Sequence, residues 1–313
     1  MIDLNCIEGA AARIARHVRR TPLWRVPNET LSGAFSYDLY LKLELLQVTG
    51  SFKPRGAFNR VLLETELPRG LVTSSGGNHG IAVAYIGKTL GIPVSIPLPA
   101  TVAPEKLAAM RSLGADAEIV GANFFVSNAR AKEIAAERGF LYLHPFAERE
   151  IVMGQGTIGL ELLEDLPDLD VVVIAVGGGG LLGGVAAAIK QKRPEVTIIG
   201  VEPVGADALT RSLAAGHLVT LDKISTKAAT LAPPMTGQIN LDLARKFVNS
   251  LVHVTDEEME SAAQWLWRHC FISAELGGAA STAALLSGRI PIEPGQKVVS
   301  IVCGAGTAGM NKT

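Results

Sequence analysis

The chain has 313 residues, of which 48% are hydrophobic and 19% are charged, and its formal net charge is -1. A near-neutral charge without a basic run argues against binding to nucleic acid or to an anionic membrane surface. No apolar stretch is long enough to span a bilayer. The three cysteines, Cys6, Cys270 and Cys303, are far apart and odd in number. They argue against a disulfide framework and predict a soluble protein of a reducing compartment, the cytoplasm.

Short apolar runs alternate with helical patterns from about residue 39 onward. Strands are predicted at 39–44, 94–98, 117–120, 171–176, 197–202 and 297–302. Helices are predicted at 54–63, 81–91, 104–114, 128–139, 181–193 and 257–269. Such alternation is typical of parallel strands joined by crossover helices, so it predicts an α/β fold with an open, doubly wound sheet.

Two short segments divide this pattern into two domains. Residues 68–70 have the composition of a hinge, and residues 144–147 are placed where the chain would cross back. We therefore predict a small α/β domain at 70–147, inserted into a larger domain made of 1–69 and 148–313.

Lys53 stands where a lysine has little structural use. It precedes Pro54, which suits the first position of a helix, so it falls near a helix start. Small polar caps are preferred there, and the positive end of the helix dipole disfavours an ammonium group. The dipole and desolvation beside Phe52 would lower the pKa of Lys53, and a neutral amine is both a nucleophile and a base. The alternative is an ordinary solvated lysine.

Four consecutive glycines follow the buried strand VVVIAV, and a helix is predicted to begin near Leu181. Glycine lets a backbone approach a ligand closely, and the free N–H groups of a helix start favour an anion. We predict a phosphate site, with a plain tight turn as the alternative. Gly178, Gly180 and Gly183 also satisfy G-x-G-x-x-G, and Glu202 ends the next strand, so this segment alone fits a nicotinamide or flavin enzyme equally well.

The run SSGGNHG, at 74–80, leads from a short strand into a helix that starts near His79. Its hydroxyl, amide and backbone N–H groups can hold a carboxylate at the positive end of that helix. A simple N-cap at Asn78 or Ser75 is the alternative. Together, the Lys53 amine, a phosphate site and a carboxylate site suit a pyridoxal-phosphate enzyme whose small-molecule partner is an amino acid.

Five motifs occur in a characteristic order: KLELLQVTGSFKPRGA, SSGGNHG, HPFAEREIVMGQGTIGLEL, VGGGGLLGG and VVSIVCGAGT. They span nearly the whole chain, which resembles the serine/threonine dehydratase family of fold-type II pyridoxal-phosphate enzymes. The resemblance implies two open, doubly wound parallel-sheet domains with pyridoxal 5'-phosphate between them. It implies dehydration and deamination of a β-hydroxy amino acid such as L-threonine or L-serine to a 2-oxo acid and ammonia, and a homodimer.

The resemblance also implies roles for individual residues. The cofactor would form a Schiff-base linkage with Lys53, the catalytic base, and Phe52 would pack against its ring. Asn78 would bind the ring hydroxyl, Glu275 would lie near the ring, and Cys303 would be a neutral partner of the pyridine nitrogen. The phosphate would be held by Gly177, Gly178, Gly179, Gly180 and Leu181. The substrate carboxylate would be held by Ser75, Gly76, Asn78 and His79.

Two departures from the family pattern bear on the substrate. Gly76 stands where racemases of the family carry a serine that acts as a base, so elimination is favoured over racemisation. The segment 227–237, KAATLAPPMTG, replaces an Ala-Asp-Gly stretch near the side-chain pocket. The amino acid therefore stays open, and lyases acting on hydroxyaspartate- or hydroxyectoine-derived substrates, a racemase and an NAD-dependent oxidoreductase remain alternatives.

A third departure concerns metal. Some members of the family bind a divalent cation through a glutamate, a backbone carbonyl and an aspartate. Glu202 and Ala206 match, but Ala208 replaces the aspartate and Asp207 lies one place early. A single carboxylate suits a hard divalent cation poorly, so no divalent metal is predicted, and a monovalent cation held by carbonyl groups is the alternative.

Overall fold

The computed structural model describes residues 2–27 and 36–310. The strands of this part are β1 (Leu23–Arg25), β2 (Asp38–Lys42), β3 (Leu71–Val72), β4 (Val94–Leu98), β5 (Asp116–Ile119), β6 (Leu141–Tyr142), β7 (Val171–Ala175), β8 (Thr197–Pro203), β9 (Ser250–Val254) and β10 (Lys297–Ile301). The helices are α1 (Leu4–Ile14), α2 (Lys53–Val61), α3 (Asn78–Leu90), α4 (Pro104–Ser112), α5 (Phe124–Arg138), α6 (Arg149–Asp165), α7 (Gly180–Lys192), α8 (Ala208–Ala215), α9 (Gln238–Phe247), α10 (Asp256–Cys270) and α11 (Leu276–Leu286), with 3₁₀ turns at Glu44–Leu46 and Ala229–Leu231.

These strands form two sheets. The larger sheet has the order β1-β2-β10-β7-β8-β9, and the smaller has the order β5-β4-β3-β6. All neighbouring pairs are parallel except β1 with β2, at the edge of the larger sheet. The α/β fold with doubly wound parallel sheets is therefore confirmed. The antiparallel edge strand was not predicted.

Each sheet has its own hydrophobic core. In the larger one, every residue of β7 is buried, as expected for a strand covered by helices on both faces. Helix α11 packs against β7 to β10, while α7 packs against α6 and α9. A separate core lies around β3 and β4, where α2, α3 and α4 pack.

Most predicted elements are present, with shifted ends. Helix α5 begins four residues earlier than predicted because the Asn123 side chain caps it, accepting a hydrogen bond from the Val126 N–H. Helices α6, α8, α9 and α11 and strands β1, β6 and β9 were absent from the prediction. Among residues 2–27 and 36–310, no helix combines the length and the apolar character needed to cross a bilayer.

The fold brings the conspicuous loops to one edge of the sheets. Residues 73–77 follow β3, residues 176–179 follow β7 and residues 302–304 follow β10, each at the carboxyl end of its strand. In open α/β sheets, ligands bind at this edge, in the crevice outside the carboxyl ends of the strands.

Candidate active site

Lys53 is the first residue of α2, with Pro54 in the first turn. Its Nζ donates a hydrogen bond of 2.8 Å to the Pro145 carbonyl oxygen and lies 5.0 Å from the centroid of the Phe52 ring. Burial lowers the pKa of Lys53 to about 8, against the opposing effect of Cys303 and Glu275. A substantial fraction of the amine is therefore neutral near physiological pH, which makes it able to attack a carbonyl or accept a proton.

Cys303 lies beside Lys53 because the chain leaving β10 runs along the start of α2. The Phe52 N–H donates to the Cys303 carbonyl oxygen at 3.3 Å, and Ser51 forms an antiparallel bridge with Gly304. The buried Cys303 thiol donates to the Gly277 carbonyl oxygen at 3.5 Å. Burial raises the pKa of Cys303 to about 12, so the thiol is neutral.

Asn78 and Glu275 meet across the space between the two sheets. Asn78 begins α3, and its Nδ2 donates to Glu275 Oε1 at 2.8 Å. Glu275 precedes α11, and burial raises the pKa of its carboxyl group, although the nearby Lys106 counteracts this rise. Lys106 Nζ also donates to Asn78 Oδ1 at 3.1 Å. The Asn78 amide and the Glu275 carboxylate both lie close to Gly304, which follows Cys303, because a Cβ at that glycine would come within 3.2 Å of Asn78 Nδ2.

The glycine loop, residues 177–181, is held by side chains from the segment that leads into α9. The Gly178 carbonyl oxygen accepts hydrogen bonds from Thr236 Oγ1 at 2.9 Å and from Asn240 Nδ2 at 2.7 Å. Because the two polar groups of a trans peptide point in opposite directions, the Gly179 N–H faces away from these anchors. Gly179 has φ +88°, and α7 begins at the next residue with free N–H groups. The loop can therefore bind an anion.

Residues 145 and 146 connect the Lys53 amine to this loop. Pro145 accepts the hydrogen bond from Lys53, and the Phe146 carbonyl oxygen accepts one from Asn240 Nδ2 at 3.0 Å. The Phe146 ring lies so close to Gly178 that a Cβ at that glycine would overlap it. Residues 144–147 were predicted as a domain crossing and begin one of the five motifs, but nothing in the sequence indicated that Phe146, Thr236 and Asn240 are neighbours of the loop.

Gly178→Ala tests this packing. We expect the added methyl group to displace Phe146, and with it the adjoining Pro145. Returning Phe146 and Pro145 to the arrangement that binds the cofactor then costs about 1–3 kcal/mol of overpacking energy. This cost corresponds to roughly 5- to 150-fold weaker binding of pyridoxal phosphate. Equilibrium titration of the protein freed of cofactor measures this. Gly9→Ala is the matched control, because a Cβ at that helical glycine meets no atom within 4 Å. Equal affinities of the two variants would contradict the assignment.

The serine–glycine loop, residues 74–79, lies at the start of α3. Ser75 is half-buried, and its Oγ accepts a hydrogen bond of 3.4 Å from the Gly77 N–H. At Gly76, a Cβ would lie 3.0 Å from Val102 Cγ2. The His79 ring points inward, with Nε2 at 3.3 Å from the Leu143 carbonyl oxygen. Desolvation and then Lys53 hold the pKa of His79 well below its usual value, so the loop offers an anion backbone N–H groups and hydroxyls rather than an imidazolium.

The segment 227–237 touches both loops. A Cβ at Gly177 would lie 3.1 Å from Leu231 Cα, and one at Gly77 would lie 3.8 Å from Thr230 Cγ2. The Thr230 hydroxyl also hydrogen-bonds to Glu275 and favours its ionised form. The stretch that departs from the family pattern is therefore in direct contact with the candidate site.

Glu202 lies elsewhere and is already engaged. Its carboxylate accepts hydrogen bonds from the N–H groups of Leu209 and Thr210, at 2.8 and 2.9 Å, and from Thr210 Oγ1 at 2.6 Å. A dinucleotide site would need Glu202 to bind the ribose, but this carboxylate is buried and already accepts these three hydrogen bonds. The Asp207 carboxylate accepts from Arg211 at 2.9 Å. In the described part of the chain, no group of three or more His, Cys, Asp or Glu side chains is placed to hold a metal ion.

The donor set fits pyridoxal 5'-phosphate. The Lys53 amine is neutral in part, the glycine loop presents N–H groups to an anion, and Asn78 and Cys303 offer neutral polar groups. These are the features needed for an aldehyde, a phosphate and a hydroxypyridine ring, respectively.

The comparisons with known proteins agree with this fit. The model of the pyridoxal-phosphate dependent enzyme family matches residues 14–304. The chain is 38% identical over 306 residues to an L-threonine ammonia-lyase of Thermotoga maritima, covering 97% of this chain and 75% of that protein. It is 36% identical over 308 residues to a phenylserine dehydratase of Ralstonia pickettii, covering 97% and 93%.

Solved structures show the same fold. The structure of maize serine racemase superimposes with a TM-score of 0.92 at 33% identity, covering 97% of this chain and 93% of that one. A threonine deaminase structure from T.th. superimposes with a TM-score of 0.90 at 34% identity, covering 100% and 99%. The resemblance seen in the motifs is thereby confirmed. The chain belongs to the pyridoxal-phosphate dependent enzymes, in the serine/threonine dehydratase family of fold type II.

Proposed function

We propose that this protein is a pyridoxal-phosphate ammonia-lyase that converts L-threonine or L-serine to a 2-oxo acid and ammonia. One observation carries the proposal: the Lys53 amine is partly neutral and donates a hydrogen bond to the Pro145 carbonyl oxygen beside the glycine loop. The similar L-threonine ammonia-lyases and threonine deaminases support the reaction class. We also propose that the enzyme acts in amino acid catabolism in the cytoplasm.

Pyridoxal 5'-phosphate, when bound, supplies an electron sink for the negative charge that develops at the substrate Cα. In this proposal Lys53 holds the cofactor, Phe52 lies against its ring, Asn78 binds the ring hydroxyl and Glu275 lies near the ring. Cys303 faces the ring nitrogen and, as a neutral thiol, adds no negative charge that would keep this nitrogen protonated. The phosphate ligands in the proposal are Gly177, Gly178, Gly179, Gly180 and Leu181.

The substrate carboxylate binds in the serine–glycine loop, through Ser75, Gly76, Asn78 and His79, with backbone N–H groups of the α3 start as donors. The substrate amino group would displace the Lys53 amine from the cofactor, and the freed amine would remove the proton at Cα, which requires its unprotonated form. The β-hydroxyl group would leave as water, and hydrolysis of the released enamine would give the 2-oxo acid and ammonia. Gly76 provides no hydroxyl for proton transfer on a second face, so elimination is favoured over racemisation.

The pKa of Lys53 predicts how the free protein takes up its cofactor. Attack on the aldehyde needs the neutral amine, so the rate should rise with pH through about 8 and level off above it. Two pH units below this value the neutral fraction, and hence the rate, is about 1% of the plateau. Stopped-flow absorbance of added pyridoxal phosphate measures this profile. A midpoint near the ordinary lysine value of 10.5 would contradict the desolvated environment.

The choice of amino acid is tested by a panel of serine, threonine, hydroxyaspartate and phenylserine, with 2-oxo acid and ammonia as readouts. We expect the highest kcat/KM for threonine or serine. A clear preference for phenylserine would instead favour the specificity of the Ralstonia pickettii relative, and the contact of Thr230 and Leu231 with both loops gives a location for that change. Interconversion of serine enantiomers without 2-oxo acid would overturn the lyase proposal.

The remaining assignments concern organisation. We propose that residues 1–69 and 148–313 form the large cofactor-binding domain and residues 70–147 the small substrate-carboxylate domain, supported by the confinement of the smaller sheet to 71–142. We propose a homodimer, which rests on the family resemblance. If a cation is required, we propose a monovalent ion held by carbonyl groups, because the carboxylates of Glu202 and Asp207 bind protein donors.

A further inference from the structure

Lys106 is a cation in the first turn of a helix, as Lys53 is. It lies in α4, two residues after Pro104, where the helix dipole disfavours a positive charge. Its side chain is half-buried, and its Nζ donates to Asn78 Oδ1 at 3.1 Å. No sequence motif pointed to it. An ammonium group in this position is locally unfavourable, so we ask what the contact with Asn78 contributes.

The contact determines which way the Asn78 amide faces. An ammonium group has only donors, so the atom that it binds must be the amide oxygen. On the other side, the Glu275 carboxylate has only acceptors and takes the Nδ2 hydrogen at 2.8 Å. Turning the amide over would place its oxygen against the Glu275 carboxylate and its NH2 group against the Lys106 ammonium. A cation and an anion therefore orient and polarise one amide between them.

The three groups come from three different elements. Lys106 belongs to α4 and Asn78 to α3, both of which pack around the smaller sheet, whereas Glu275 precedes α11 of the larger sheet. The Asn78–Glu275 bond thus joins the two sides of the crevice. Lys106 also favours the ionised form of Glu275 against the effect of burial. Loss of Lys106 would therefore weaken both the orientation of the Asn78 donor and the charge of the Glu275 acceptor.

This reasoning rests on the proposed function, in which Asn78 binds the ring hydroxyl of pyridoxal phosphate. We propose that Lys106 is a positioning residue for the reaction. By binding Asn78 Oδ1, it fixes the amide so that Nδ2 gives one hydrogen to Glu275 and can direct its second hydrogen toward the cofactor ring. The same contact holds the small domain against Glu275. Its substitution should therefore alter the electronic state of the bound cofactor and the rate of turnover more than the binding of the amino acid.

The experiment compares holoenzyme carrying Lys106→Met with the matched control Lys88→Met, which removes an exposed lysine in the last turn of α3. We expect Lys106→Met to lower kcat by roughly 10- to 100-fold, the loss expected for one hydrogen bond to a charged group, with little change in KM. We also expect a changed ratio of the visible to the near-ultraviolet absorption bands of the bound cofactor. Lys106→Arg should recover most of both properties, since it restores a cationic donor.

Several outcomes separate the possible failures. If Lys106→Met matches Lys88→Met in spectrum and kcat, the inference is wrong while the proposed function stands. If Lys106→Met raises KM alone, Lys106 acts on the substrate and the inference is again overturned. A wild-type protein without a cofactor chromophore or 2-oxo acid production would instead refute the proposed function. Circular dichroism and thermal melting check that each variant is folded, and Lys106→Arg provides the decisive comparison if Lys106→Met unfolds.

Discussion

Lys53→Ala should abolish 2-oxo acid production while leaving the protein folded. Removing a general base alone costs about 10²–10⁴-fold in rate, and this variant also loses the nitrogen to which the cofactor is proposed to attach. The structural loss is small, because the amine makes one hydrogen bond, to Pro145, and its burial disfavours the charged form. The fold should therefore tolerate the substitution.

Single-turnover and steady-state assays of 2-oxo acid, with the melting temperature as a check on folding, measure this effect. The control is Lys88→Ala, which removes an exposed lysine of α3 and should retain wild-type activity. Borohydride reduction of the wild-type holoenzyme, followed by peptide mass analysis, should place the cofactor mass on Lys53. Turnover by Lys53→Ala within tenfold of wild type, or a label on another lysine, would rule out the proposed base.

Arg55→Met should have the largest effect on stability. The guanidinium group is buried and donates to both oxygens of the buried Glu44, at 2.7 and 2.8 Å, and to both oxygens of Glu161, at 2.7 and 3.0 Å. Without it, the Glu44 carboxylate loses its cationic partner in the interior. Breaking a buried ion pair by removing one partner costs about 3–5 kcal/mol. The free energy of unfolding should fall by that amount.

Urea denaturation of the variants measures this difference. The control is Arg60→Met on the same helix. Its more exposed ion pairs with Glu64 and Glu148 should contribute at most about 1 kcal/mol each. A double variant, Arg55→Met with Glu44→Met, should recover part of the loss, because both charges are then absent. If Arg55→Met costs no more than Arg60→Met, the buried network does not stabilise the fold.

Sequence patterns predicted the elements whose cause is local. Pro54 places Lys53 at a helix start, the apolar run of β7 marks a strand buried on both faces, and the four glycines mark a close backbone approach. Elements without a local signature were missed. Helix α11 has small or apolar side chains on all sides and is buried almost throughout, so its sequence lacks an amphipathic period. Strand β6 has only two residues.

Contacts between distant segments could not be read from the chain. Phe146 lies 32 positions before Gly178 and Asn240 lies 62 after it, yet both contact that glycine. The same holds for Lys106, whose position in α4 gives no sign of Asn78. The dinucleotide pattern ending at Glu202 was misleading for a related reason. Whether a carboxylate is available to a ligand depends on which donors the fold places beside it, here those of Thr210 and Leu209.

The sequence by itself determined the α/β alternation, the helix that begins at Lys53, and the two glycine-containing loops, because propensity and periodicity act within a few residues. Only the tertiary structure decided that Lys53 is desolvated, that Cys303 is a neutral neighbour, and that Lys106 and Glu275 share one amide. Desolvation and charge pairing depend on which surfaces the two sheets and their helices bring together, and those surfaces are far apart along the chain.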